Sequence, residues 1–157
     1  LVPQVVDAVK VPVIAAGGIA DGRGIAAAFA LGAAGVQIGT AYLRCPESKV
    51  IALARSVFAQ ATDDSTVITN VMTGRPARGV VNRAMREVGP VSLDAPAFPH
   101  AATGFAPLKA AAEKLGKVDF TNLWAGQAVR LGRDMPATEL TRALAGAALA
   151  RMSKMAG

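Results

Sequence analysis

Two short glycine-bearing segments carry the chemistry that this sequence suggests. Gly17 and Gly18 follow the apolar run Val11-Pro12-Val13-Ile14-Ala15-Ala16, and Gly39 with Thr40 follows Ala34-Gly35-Val36-Gln37-Ile38. A phosphate group is held by several N–H donors converging on its oxygens. Glycine permits the positive φ and the close backbone approach that such convergence needs. Thr40 adds a hydroxyl donor. Asp21, being anionic, fits the N-cap of the following helix better than a phosphate contact. Each segment alone is explained as well by a tight turn or a packing contact. Their spacing, one strand-helix-strand repeat apart, joins them into one candidate site.

The elements needed to hold these segments can be read from the periodicity. Val2, Val5, Val6 and Val9 share one helical face, and Val11 to Ala16 reads as a buried strand. Asp21 caps a helix over Gly22 to Leu31, Gly32 stops it, and Ala34 to Ile38 forms a second strand. Both strands are continuous apolar runs, as in a parallel sheet covered on both faces. In a parallel (β/α)8 barrel, the loops after the last two strands commonly hold a phosphate. Residues 1–44 are therefore expected to be the last two β/α units of such a TIM barrel. Two strands leave open hydrogen-bonding edges, so six more strands are expected upstream. On this reading the chain is a fragment that folds poorly or self-associates alone.

Beyond Arg44 the pattern turns mostly helical. The spacing predicts a helix over Glu47 to Ala61 and an extended segment over Thr66 to Met72. It then predicts a helix initiated at Pro76 and running through Asn82 to Val88. Pro90 to Pro99 reads as a loop, Phe105 to Leu115 as a helix and Asp119 to Trp124 as a connector. Ala125 to Leu131 follows as a short helix, and Thr138 caps a terminal helix ending at Met155. The expected organisation is α/β: barrel units over 1–44, a mostly helical cap or substrate domain over 45–136, and a helix over 137–157 that packs back on the barrel.

Composition narrows the function. The chain has 157 residues, 52% hydrophobic and 18% charged, which suits a packed domain. Its net charge of +6 is spread over basic residues scattered singly, without a dense run, and only 4% of residues are aromatic, so no nucleic acid is expected as partner. The uncharged stretch Gly24 to Leu43 is broken by four glycines and by Gln37 and Thr40, which argues against a membrane span. Cys45 is the only cysteine and His100 the only histidine, far apart in sequence. Neither a disulfide, a cysteine metal cluster nor a Cys-His nucleophile is expected, and a reducing cytoplasm fits.

The run VPVIAAGGIADGRGIAAAFALGAAGVQIGTAYL, with TGRPARGVVNR and LWAGQAV after it, resembles the C-terminal half of bacterial nitronate monooxygenases. The resemblance implies an FMN-dependent TIM barrel with a helical second domain. Such an enzyme oxidises alkyl nitronates with dioxygen to carbonyl compounds and nitrite. It implies that Ala16, Gly17, Gly18, Gly39 and Thr40 cradle the FMN phosphate. Arg75, Gly126 and Gln127 are then assigned to the cap side, facing flavin or substrate, with Met72, Phe98 and Trp124 as possible apolar wall. The family's catalytic histidine belongs to an earlier strand, and His100, in FPHAATG, does not match its motif. No catalytic residue is therefore assigned within this chain. Flavin-type enoyl-acyl-carrier-protein reductases share the double-glycine pattern, although TGRPARG followed by VNR favours the first family. A non-catalytic module binding a phosphate ligand is the remaining alternative.

Overall fold

A computed structural model describes residues 1–155 and 157 in full and shows an α/β protein. The chain divides into two compact units, Leu1–Lys49 with Leu131–Gly157, and Val50–Arg130.

The first unit is built on one βαβ repeat. Helix α1 (Val2–Ala8) leads to strand β1 (Ile14–Ala16), helix α2 (Gly22–Ala30) and strand β2 (Gly35–Gln37). The strands pair in parallel, with Ile14 opposite Gly35, Ala15 opposite Val36 and Ala16 opposite Gln37. Ala15, Ala28 and Ala33 form a small buried cluster, against which Val2, Ile19 and Val36 pack. Alanines let helix and sheet approach closely, but they bury little apolar surface per residue. The strands are shorter than the apolar runs predict. Cover on both faces is also not found: Ala15 is buried while Ile14 on the other face is 55% exposed. Among the described residues of this unit, nothing lies against that second face to bury it.

Helix α6 (Ala137–Ala156) closes the unit against α2. Leu140, Leu144 and Ala148, spaced by four, make its buried stripe. Gly22 marks the close crossing, since a Cβ there would lie 2.6 Å from the Ala147 Cβ. Thr138 is not the cap of α6. The N-cap position is Pro136, and the Glu47 carboxylate accepts from the Ala137 N–H at 3.0 and 3.1 Å. This also corrects the predicted helix start at Glu47. That residue follows Pro46 in a turned segment and serves α6, and the next helix begins only at Ala52. The Tyr42 hydroxyl bonds Thr141 Oγ1 at 2.8 Å, and Arg44 pairs with Asp134 and donates to the Gly132 carbonyl.

In the second unit, helix α3 (Ala52–Gln60) precedes an antiparallel pair, β3 (Thr66–Thr69) and β4 (Ala77–Val80). Helices α4 (Arg83–Val88) and α5 (His100–Lys114) follow, with a 3-10 turn at Gln127–Leu131. The predicted helix from Pro76 is wrong in its first half: residues 77–80 are strand, and α4 starts after Asn82. The reason is pairing. A β-branched run such as Thr66 to Thr69 needs a partner, and TGRP is the turn that returns the chain to it. Gly79 then bridges to Trp124, where a side chain would meet the Leu123 carbonyl at 2.9 Å. The extended segment expected to reach Met72 ends at Thr69, because the Thr69 hydroxyl accepts from the Val71 N–H and the Gly74 N–H turns back to the Asn70 carbonyl. Helix α5 begins at His100 rather than Phe105 and carries Pro107 inside it.

Candidate phosphate site

Strand register brings the two glycine segments together. Ala16 is opposite Gln37, so Gly17 and Gly18 leave β1 beside the point where Ile38, Gly39 and Thr40 leave β2. Gly17 and Gly18 have φ of +89° and +70°, a region that disfavours any residue with a Cβ. Gly39 is different. Its φ of −107° and ψ of −61° are open to other residues, and it precedes the 3-10 turn Thr40–Arg44, whose Tyr42 N–H bonds the Gly39 carbonyl at 3.0 Å.

A Cβ built on Gly17, Gly18 or Gly39 meets no protein atom within 4 Å. Packing therefore does not require glycine at any of the three. Backbone conformation explains Gly17 and Gly18, but neither packing nor φ explains Gly39. A ligand that comes against the backbone would use the space that a side chain would fill. Such a surface suits a phosphate group, whose oxygens accept from backbone N–H groups. Gln37, exposed at the end of β2 beside Ala16, stands next to this surface. Nothing in the sequence marks Gln37, because only register reveals its neighbour.

Asp21 does what the sequence predicts. Its Oδ1 accepts from the Arg23 and Gly24 N–H groups at 2.9 and 3.0 Å, and its Oδ2 from Arg23 Nε at 2.6 Å. Partial burial pushes its pKa upward, but the Gly24 N–H bond and the Arg23 guanidinium outweigh burial and hold the carboxyl below its ordinary range. The start of α2 is thus already satisfied by the protein's own carboxylate. Cys45 is a buried apolar residue.

The remaining predicted residues lie in the second unit. Arg75 is exposed, with its guanidinium 4.9 Å from the centre of the Phe98 ring. Gly126 and Gln127 lead into the 3-10 turn, Gln127 exposed and the Gly126 carbonyl bonded by the Val129 N–H. Met72 is fully buried, in a cluster with Val71, Ala84 and Met85 on which Trp124 packs, so it is core rather than wall. Phe98 is half-exposed under Arg75, and His100 is exposed at the start of α5.

The family model described as nitronate monooxygenase matches residues 1–146. A probable nitronate monooxygenase of Staphylococcus saprophyticus is 42% identical over 140 residues, covering 89% of this chain and 39% of that protein. Its counterpart from Staphylococcus aureus strain JH9 is 41% identical with the same coverage. Among solved structures, nitroalkane oxidase from Streptomyces ansochromogenes superposes with a TM-score of 0.89 at 40% identity, over 100% of this chain and 44% of that one. FabK from Thermotoga maritima superposes with a TM-score of 0.76 at 32% identity, over 100% of this chain and 50% of that one. The chain spans 39% of the length of these curated relatives. Among the described residues, no helix is long and apolar enough to cross a membrane.

Proposed function

The chain belongs to the nitronate monooxygenase family, and we propose that it forms the FMN phosphate site of a TIM-barrel enzyme that oxidises alkyl nitronates with dioxygen to carbonyl compounds and nitrite. The observation that carries this reading is Gly39, a glycine that neither its φ nor its neighbours require, beside two positive-φ glycines that also face open space. Ala16, Gly17, Gly18 and Gly39 present backbone to the phosphate, and Thr40 adds its side chain. FMN supplies the redox chemistry when bound, and the protein orients it and the substrate. Residues 1–49 act in this reading as closing barrel units, with α6 as the final barrel helix. The second unit serves as cap, where Arg75, Gly126 and Gln127 are assigned to the flavin or substrate side. No group in this chain is assigned as the catalytic base.

A second reading has its own support, since the likeness to FabK keeps flavin-dependent enoyl-thioester reduction in view. The two readings share the phosphate site and differ in substrate. The full-length protein carrying this chain is expected to purify yellow and to release nitrite from an alkyl nitronate while consuming oxygen. Gly39→Val is expected to weaken FMN retention by roughly tenfold or more, through steric exclusion of a charge-assisted contact, with little change in apoprotein melting. Unaltered FMN retention in that variant overturns the site. Enoyl-thioester reduction without nitronate turnover overturns the activity but leaves the site standing.

A further inference from the structure

Two of the six residues around a small cleft, Arg133 and Arg151, take no part in the phosphate site or in the α2–α6 contact. The cleft measures about 310 Å³ and lies between the start of α2 and the second half of α6, lined by Asp21, Gly22, Arg23, Arg133, Ala147 and Arg151. Three arginines and one aspartate line it. That carboxylate is fully committed, with Oδ1 on two backbone N–H groups of α2 and Oδ2 on Arg23. Arg133 and Arg151 make no ion pair with any described residue. One comes from the segment before α6 and the other from within it.

Like charges converging on one concavity repel each other, and solvent screens this only in part. A bound anion removes the repulsion and gains bidentate hydrogen bonds that planar guanidinium groups are shaped to make. The floor of the cleft is small side chains, Gly22 and Ala147, which cross so closely that a Cβ on Gly22 would overlap Ala147. The small floor leaves the space between the three exposed arginines open to an anion. We propose that this cleft binds the phosphate or diphosphate group of a small molecule, clamped by Arg133 and Arg151 with Arg23 held in place by Asp21. It contains none of Ala16, Gly17, Gly18, Gly39 or Thr40, so it is a second anion site and does not depend on the FMN reading.

The test uses the full-length protein with FMN already bound, so that its own phosphate site is filled. Titration with inorganic pyrophosphate, followed calorimetrically, is expected to show one saturable event that weakens as salt rises. Arg133→Gln with Arg151→Gln is expected to weaken it by roughly tenfold or more, the range for loss of charge-assisted hydrogen bonds. FMN content, read by absorbance, is expected to stay unchanged. Arg133→Lys with Arg151→Lys keeps the charge without the planar fork and is expected to fall between. If the Gln pair fails to fold, the Lys pair alone decides: affinity equal to the parent overturns the guanidinium clamp. Absence of saturable binding, or binding that all variants retain, also overturns the proposal. Loss of FMN binding is a separate observation, bearing on the other site.

Discussion

The two units of this chain hold themselves together by different means. In the second, large side chains are wholly buried, including Met72, Met85, Leu123, Val71 and Val129. Its buried polar groups are satisfied: the Asn82 amide donates to the Thr121 carbonyl at 3.0 Å while its carbonyl accepts from the Met85 N–H at 3.1 Å. The first unit buries Ile25, Leu140 and Leu144 where α6 meets α2, but around its strands it buries mostly alanines, α1 contains no buried residue, and Ile14 remains 55% exposed. Burial of a large apolar side chain is worth about 1.5–3 kcal/mol, and alanine gives much less. The sheet that carries the candidate cofactor site is thus the less densely packed of the two. The sheet itself keeps one face uncovered, and the large buried side chains of the first unit lie instead at the α2–α6 contact.

The widest expected separation is in local opening. Backbone amides of the β3–β4 ladder are expected to exchange with deuterium about a hundredfold or more slowly than those of β1 and β2 when this chain is studied alone. The exposed face of the small sheet is also expected to drive self-association, visible by sedimentation, because an open edge and an apolar face are a template for pairing. Equal protection in the two sheets, together with a monomer that melts sharply in one step, would end the contrast.

Asn82 tests the same contrast from the side of the second unit. It caps α4, bonds the Thr121 carbonyl and contacts the Met72 sulfur, all while 3% exposed. Replacing it by alanine removes a cap and leaves a buried carbonyl unpaired. The expected loss is about 2–4 kcal/mol, from roughly 1 for the cap and 1–3 for the orphaned group. Denaturant unfolding of the second unit's signal, for which Trp124 is a natural probe, measures it. A loss under about 0.5 kcal/mol, the level of an ordinary surface change, would mean that this network does not hold the unit together.

These differences explain what could be read from the sequence. The βαβ order, the Asp21 cap and the convergence of Gly17 with Gly39 were legible, because periodicity and caps are local signals. An uncovered sheet face follows from a barrel lacking its other strands, but which residue is left bare does not, since an apolar run looks the same on both faces and only the register leaves Ile14 outside. The strand at Ala77 to Val80 was hidden for a related reason: Arg78 and Gly79 have no intrinsic strand preference. They are extended because Thr66 to Thr69 and the Leu123 carbonyl hold them so. Thr138 resembled a cap by residue type, yet the cap group of α6 came from Glu47, ninety residues away. The arginine cleft is invisible in the sequence, because Arg23 lies far along the chain from Arg133 and Arg151 and only the α2–α6 crossing gathers them.

The smallest predicted effect concerns Asp21, the cap of α2 in the first unit, and its sign follows from its pKa. The folded-state pKa lies below the ordinary value, so the carboxylate contributes stability that is fully present above the unfolded pKa and lost as pH falls through the folded one. At neutral pH, Asp21→Ala is expected to cost about 1 kcal/mol, within the 0.5–2 range for lost N-caps. Below about pH 4, near the ordinary carboxyl value, parent and variant are expected to converge as the parent's own carboxylate is protonated. Exchange at the Arg23 and Gly24 amides reads the effect locally, without waiting for global unfolding. Asp21→Asn keeps the accepting oxygen and loses the charge, so it is expected to lie between the two and to vary less with acid. A difference between parent and Asp21→Ala that stays constant down to pH 3 would assign the cap's value to its geometry alone. The asymmetry between the units would then owe nothing to charge at the start of α2.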